Sequence, residues 1–337
     1  VALLINGRVE RYSDMLVRVI AKEWPGSRIL VPRGHGIPEK VHGLDVIPVG
    51  SFQGHLWEQL SLPRAVGPKD MLISPANTGP WRLRQHVVVI HDLAVIHHPE
   101  WFDRRFAAWY TFLLPRLARN AARVITVSRT SAADITTTFG VPGSKVDVVP
   151  PYVLERTSAV AEHGIDPPYY LMVASRDPRK GHDRAVDWWS SFAKPPFKFV
   201  LVGRAGPAFK GMNTTGLRDM LWLEDVDDAR LSALYAGAIA LLHPSRSEGF
   251  GLPVLEALAH GCPVIASDLP VLRESFGDAI IFAEIGGNSE MGAAMAILNE
   301  PEQRASTISR GSRKAAEFDM ARTTTALHNA LDPLLNT

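Results

Sequence analysis

Residues 240–268 read ALLHPSRSEGFGLPVLEALAHGCPVIASD, a pattern of strand, loop, helix and strand. Ala240–His243 is a short apolar run, and Pro244–Gly251 is a loop that carries the carboxylate Glu248 in a glycine-rich setting. Leu252–His260 has helical spacing, with Leu252, Leu255, Leu258 and Ala259 on one face. Pro253 falls in the first turn, where a missing N–H costs nothing. Gly261 ends the helix and Pro263–Ser267 follows as a second buried strand. Seven residues separate Glu248 from Glu256.

A glycine-flanked loop that feeds a helix after a buried strand leaves backbone N–H groups and a positive dipole end at the carboxyl edge of a parallel sheet. A diphosphate is attracted to such a place. Ionised carboxylates only accept hydrogen bonds, so two of them beside it suit sugar hydroxyls. Phosphate for the backbone and hydroxyls for the acids together describe a nucleotide sugar. Lone acids at a helix start are usually only solvated; here the whole unit argues otherwise. The text of Ser247–Glu274, SEGFGLPVLEALAHGCPVIASDLPVLRE, resembles the E-x7-E signature of the retaining glycosyltransferases of family 4. That resemblance implies the α/β GT-B fold: two Rossmann-like domains with parallel sheets facing across a cleft, and a C-terminal helix crossing back to the N-terminal domain.

The rest of the chain agrees with that class. Its 337 residues, 46% hydrophobic and 21% charged, can bury two cores. A formal net charge of +1 provides no field that would recruit nucleic acid. The single cysteine, Cys262, excludes an internal disulfide and reads as a small core residue. No apolar run reaches the ~18–20 residues of a membrane span, and no signal peptide opens the chain, so the expectation is a cytoplasmic protein.

Apolar runs separated by helix-length segments and Pro/Gly turns continue through both halves, the α/β rhythm. They divide the chain into an N-terminal domain over 1–150, a proline-rich linker over 151–168, a nucleotide-sugar domain over 169–317 and a terminal helix over 318–337. The strand Tyr169–Val173 leads into Ala174-Ser175-Arg176-Asp177-Pro178-Arg179-Lys180-Gly181. Basic residues at the carboxyl end of a first strand can clamp a diphosphate and stabilise the charge of a leaving group. In the first half, a strand over Val87–Ile90 runs into His91-Asp92 after the segment SPANTGP at Ser74–Pro80. The sequence Asp225-Val226-Asp227-Asp228 contains D-x-D, a metal–nucleotide motif elsewhere; before a helix it reads better as capping acids. His97 and His98 have no partners at metal-ligand spacing. Phe102–Val124, rich in aromatics and arginines, suits either an interfacial helix beside anionic lipid or a helix pair with its apolar face in the core.

Carried over residue by residue, the resemblance implies that Glu248 holds the distal hydroxyls of the donor sugar, helped by the backbone of Phe250 and Gly251, with Gly249 and Leu252 as further donor-binding residues. It implies that Glu256 binds the ribose hydroxyls, and that Arg179 and Lys180, with Arg176 as a further candidate, neutralise the diphosphate. His91 is the expected sugar contact from the N-terminal domain. Gly7 stands where the family has a longer glycine-rich loop; this chain has one glycine between Asn6 and Arg11. No metal or separate cofactor is expected. The implied reaction is hexose transfer with retained anomeric configuration, from GDP-mannose in the first instance or a UDP-hexose in the second. The acceptor would be a glycan or lipid-linked glycan in bacterial surface polysaccharide synthesis, with peripheral contact to the inner membrane face as an option. A non-catalytic sugar-nucleotide-binding subunit is the rival of a different class.

Overall fold

The computed structural model describes residues 2–4, 11–34, 36, 39–154, 164–192, 196–204, 220–286 and 288–335. Gly7, and the loop that the sequence reading compared with the family's, lie outside them. The described chain divides into two compact units. The first takes Val1–His97, Ala108–Tyr152 and Asp319–Thr337; the second takes His98–Ala107 and Val153–Phe318.

In the first unit the strands are β1 (Ala2–Leu4), β2 (Arg28–Pro32), β3 (Lys40–Val41), β4 (Leu44–Val49), β5 (Leu72–Ser74), β6 (His86–Val89), β7 (Arg123–Thr126) and β8 (Val146–Val148). Among the described residues they form one sheet in the order β3-β4-β2-β1-β5-β6-β7-β8. Every pairing is parallel except that of β3 with β4. The central strands bury mostly apolar side chains, as strands covered on both faces do, with Ser74, His86 and Thr126 as buried polar exceptions. The helix Arg11–Glu23 buries Tyr12, Met15, Leu16, Val19 and Ile20, the face its spacing dictates. Arg104–Asn120 is one helix running through Pro115, where the sequence suggested a pair. Leu113, Leu114, Leu117 and Ala118 are its buried face, and Phe112 remains exposed beneath the Arg116 guanidinium. The helix Met320–Leu335 closes the unit. Thr323, Leu327, Ala330 and Leu331 are buried, Thr323 Oγ1 donates to the Pro150 carbonyl at 2.8 Å, and His328 Nε2 lies 3.3 Å from Glu23.

The second unit contains β9 (Tyr169–Val173), β10 (Lys198–Val202), β11 (Met220–Leu223), β12 (Leu241–His243), β13 (Val264–Ala266) and β14 (Ile281–Phe282), in the order β11-β10-β9-β12-β13-β14 and all parallel. Its core is aromatic on one side of the sheet, where Trp188 and Trp189 of the helix His182–Ser190 pack against Tyr170, Phe197 and Phe199. The chain's first strand here, β9, lies between β10 and β12, so the connections that leave β9 and β12 depart to opposite sides. This is the switch point of an open parallel sheet, and the crevice outside the carboxyl ends of those two strands is where ligands bind in such folds.

Among the described residues no helix is long and apolar enough to cross a membrane. Two buried histidines give the fold a pH dependence. Burial holds His86 down at about 3 and His182 down at about 4. In the unfolded chain both bind protons near 6.5, so their neutral forms contribute full stability above that pH and the contribution declines as the solution is acidified below it. For His182 the complete loss amounts to roughly 3 kcal/mol. Thermal unfolding is expected to fall from pH 7 to pH 5, and His182→Asn is expected to flatten that slope; an unchanged slope in the variant would refute the assignment.

Candidate active site

The loop after β9 and the loop after β12 meet at the switch point. Asp177 caps the short turn Pro178–Lys180, accepting from the Arg179 N–H at 2.9 Å and from Arg179 Nε at 2.8 Å. Its side chain is fully buried, a placement an acid tolerates only when paired in this way. Gly181 follows with φ +68, and a Cβ on it would run into the Pro244 carbonyl oxygen. A glycine is therefore required for the two loops to approach. Arg246 joins them further: its N–H donates to the Arg179 carbonyl at 2.7 Å, Nη1 to the Pro178 carbonyl at 2.9 Å, and its fork pairs with Asp183. Gly181→Ala is expected to destabilise the protein by about 2–4 kcal/mol, through backbone strain and the lost approach. A calorimetric comparison that found wild-type stability would refute this.

This approach brings Lys180 to Glu248. Lys180 Nζ donates to Glu248 Oε1 at 2.7 Å, with the two side chains 13% and 8% exposed. Ser245 Oγ donates to the same oxygen at 2.7 Å, and His243 Nε2 lies 3.0 Å from it. Burial alone would raise the Glu248 carboxyl; the charge of Lys180, then the contact with His243 and the charge of Arg179, outweigh it and hold the group well below the usual carboxylate range. The result is an ionised carboxylate beside an ammonium group at the carboxyl edge of the sheet.

Glu256 sits in the helix Leu252–Ala259 and accepts from the Tyr235 hydroxyl at 3.0 Å. Tyr235 is buried and its ring stacks on His260 at 5.6 Å. The inward face of this helix differs from the expected one. Val254 and Ala257 are buried with Leu255, Leu258 and Ala259, whereas Leu252, Pro253, Glu256 and His260 form the half-buried strip. The helix lies in a layer apolar on nearly all sides, so its single polar strip, not its leucines, marks the side on which Glu256 lies.

The loop between β12 and the helix is anchored by Phe250, which packs edge-on against Phe276 at 5.5 Å and Phe318 at 5.2 Å. Gly249 is buried. Gly251 caps the helix with φ +101, a conformation glycine adopts without penalty. Arg176 turns to the neighbouring edge, where its guanidinium lies 4.0 Å from the centre of the Trp222 ring and 3.0 Å from Glu224. Of the D-x-D acids Asp227 is a cap, accepting from the Arg230 N–H at 2.7 Å, whereas Asp225 pairs with Arg204.

In the first unit His91 follows β6 by two residues. Its N–H donates to Asn77 Oδ1 at 2.8 Å, its ring meets Tyr12 edge-on at 5.0 Å, and Nε2 lies 3.1 Å from the Pro75 carbonyl. A carbonyl only accepts, so Nε2 carries the proton in that contact. Asp92 caps the helix Ala94–His97, accepting from the Ala94 N–H.

Sequence reasoning missed Asp177, Tyr235, His243, Ser245 and Arg246 as parts of the site. The signals available were the polar His243 at the end of an apolar strand, Asp177 two residues before Arg179 and Ser245 three before Glu248; Tyr235 and Arg246 are joined to the site only by tertiary packing.

Comparison with known proteins agrees with this geometry. Residues 155–314 match the family model described as glycosyl transferases group 1, and residues 17–153 match that of glycosyltransferase family 4. The chain is a glycosyltransferase of the two-domain GT-B fold, one model matching each half. This glycosyltransferase is 28% identical over 267 residues to the O-antigen chain mannosyltransferase RfbU of Salmonella typhimurium, an alignment covering 78% of this chain and 73% of the relative. It is 27% identical over 270 residues to the O-antigen chain mannosyltransferase B of Escherichia coli, covering 74% and 71%. Its fold resembles that of HepE from Anabaena, solved with UDP-glucose, with a TM-score of 0.73 at 18% identity over 98% of this chain and 99% of that one.

Proposed function

We propose that this glycosyltransferase moves a mannosyl group from GDP-mannose to a hydroxyl of a glycan or lipid-linked glycan, with retention at the anomeric carbon and without a metal. The observation that carries the reading is the Lys180–Glu248 contact of 2.7 Å at the switch point. It sets a cation suited to phosphate against an acceptor suited to sugar hydroxyls. In the proposed reaction the bond between the anomeric carbon and the phosphate oxygen breaks, and the acceptor oxygen bonds to that carbon from the same face. The acceptor's proton passes to the departing phosphate oxygen. Lys180 and Arg179 would stabilise the charge that develops there, with Arg176 as a further cation. Glu248 would hold the sugar hydroxyls, and Glu256, steadied by Tyr235, the ribose hydroxyls. The backbone of Phe250 and Gly251 would help Glu248 with the sugar, Gly249 and Leu252 are further proposed donor-binding residues, and His91 is the proposed sugar contact in the first unit.

Mannose and the glycan acceptor are supported by the curated relatives, both O-antigen chain mannosyltransferases. A UDP-hexose is the second reading, favoured by the UDP-glucose bound to a protein of the same fold. A membrane-facing acceptor is supported by Phe52, Leu56 and Phe112, which are 46%, 61% and 38% exposed in the first unit, and by Arg116 over Phe112.

Thermal unfolding with GDP-, UDP- and ADP-sugars in EDTA, followed by radiolabelled transfer to lipid extracts, tests the proposal. GDP-mannose at a hundred times its Kd should stabilise the protein by about 2.7 kcal/mol. A shift with UDP-hexoses alone would reassign the donor. Neither stabilisation nor transfer with any nucleotide sugar would sink the proposal.

A further inference from the structure

The proposed donor needs cations for its diphosphate and acceptors for its hydroxyls. Apart from His91, the side chains assigned to it lie in the second unit. The first unit carries a polar cluster that this chemistry does not use. Residues 54–65 follow β4 as a helix with a single π-turn over Trp57–Ser61, in which the Leu62 N–H donates to the Trp57 carbonyl. Such turns are rare and concentrate at functional sites. Glu58 lies in this turn with its side chain 1% exposed. Leucine would fill that space without a desolvated charge, whereas a buried carboxylate persists only with polar partners.

Glu58 Oε2 accepts from the Thr78 hydroxyl at 2.6 Å and lies 3.0 Å from His55 Nδ1, to which it is hydrogen-bonded. A carboxylate oxygen accepts, so Nδ1 carries the proton and the neutral ring has its lone pair on Nε2. The imidazole is 44% exposed, so an outside group can reach it. The half-buried Trp109 and Tyr110 flank it, with ring centres 4.9 and 6.0 Å away. The group stands at the carboxyl edge of the sheet: residues 54–65 begin there after β4, and Thr78 lies in the loop that leaves β5. Gln59 holds that loop as well, its amide N–H donating to the Gly79 carbonyl at 2.8 Å and its carbonyl accepting from the Trp81 N–H at 3.2 Å. Asn77, next to Thr78, accepts from the His91 N–H. The same loop thus steadies both Glu58 and His91.

We infer that His55, held by Glu58, binds the acceptor glycan: its Nε2 accepts a hydrogen bond from a sugar hydroxyl, and the Trp109 ring beside it serves the apolar face of the same sugar. An apolar wall with a few fixed polar groups is the usual make-up of a small-molecule site. The inference rests on the function proposed above and gives its acceptor a place in the first unit. It differs from a packing role in one respect: it requires an acceptor atom at the Nε2 position, not merely a ring against Trp109.

The test uses the full chain, GDP-mannose as donor and a lipid extract as the acceptor probe. His55→Phe keeps a ring against Trp109 without a polar atom, and is expected to raise the apparent KM for the extract about tenfold, the effect of one lost hydrogen bond. His55→Gln sets an amide carbonyl near the place of Nε2 and should recover to within about threefold of wild type. Glu58→Gln can still accept from Thr78, but its amide N–H can donate to Nδ1, which moves the ring proton to Nε2. It should raise the same KM about fivefold. The Kd for GDP-mannose should stay within about twofold in all three, a split that a general loss of structure would not produce. Should the phenylalanine variant fail to fold, Glu58→Gln against wild type carries the test. An unchanged KM for the extract in His55→Phe, or a GDP-mannose affinity that falls in step with it, would overturn this inference alone. A wild-type protein that transfers no sugar in the same assay would overturn the proposed function, and this inference with it.

Discussion

A Lys180→Met enzyme is expected to lose about a thousandfold in kcat/KM while still folding, and its acid limb is expected to move to higher pH. The first part follows from the place of the ammonium group. Lys180 is 13% exposed at the carboxyl edge of β9, where field lines are not dissipated in water and one well-placed donor to a developing negative charge contributes roughly 2.7–4 kcal/mol. The second part follows from Glu248. Its carboxyl lies low because Lys180, His243 and Arg179 overcome the effect of burial, and Lys180 is the foremost of the three. Methionine removes that cation and leaves burial in place, so the carboxyl rises and protonates at a pH where the wild-type group is still ionised. Lys180→Arg keeps charge but replaces a compact ammonium by a planar fork, and should recover activity only in part. A pH–rate profile checks both parts. Retention of activity to within tenfold would remove Lys180 from the reaction, and an unmoved acid limb would remove Glu248 from the titration.

The same pair is expected to behave unusually in a stability cycle. Lys180→Met and Glu248→Gln should each destabilise the protein by about 3–5 kcal/mol, since each strands a buried partner. The double variant should recover at least half of the summed loss, because no charge is then left alone. For a protein of this size that corresponds to several degrees of melting temperature in each single variant. The acid dependence carries its own sign. Glu248 titrates lower in the folded chain than the ordinary value near 4.3, so the ionised group stabilises the fold above that pH. The contribution is lost as the solution falls through the folded value. Calorimetry of the four proteins measures the cycle; strict additivity would mean that the two side chains do not depend on each other. A buried ion pair is seldom the most stable filling for its space. Its presence at a ligand-binding edge is consistent with retention for chemistry at some cost to stability.

Much of this protein is written locally. Tyr169–Val173 follows its apolar run because a strand covered on both faces needs an unbroken run of such side chains. Asp227 caps the helix that follows it for the reason that acids precede helices: orphan N–H groups need an acceptor. Other readings failed for reasons equally physical. Helical spacing sets Leu252 on one face with Leu255 and Leu258, but a helix enclosed on most sides has a polar strip instead of an apolar stripe, and Leu252 lies in that strip beside Glu256. The helix pair read into Phe102–Val124 is a single helix, because Pro115 does not end it.

The sequence by itself determined the class of fold, the loop–helix that carries Glu248 and Glu256, and the basic turn that carries Arg179 and Lys180, since backbone propensity and burial periodicity act over a few residues. Only the tertiary structure decided that Lys180 and Glu248 touch and that the Tyr235 hydroxyl donates to Glu256. Lys180 and Glu248 are joined by the adjacency of β9 and β12, and strand order is set by which buried faces pack together across the whole unit, a property that no local stretch of sequence contains.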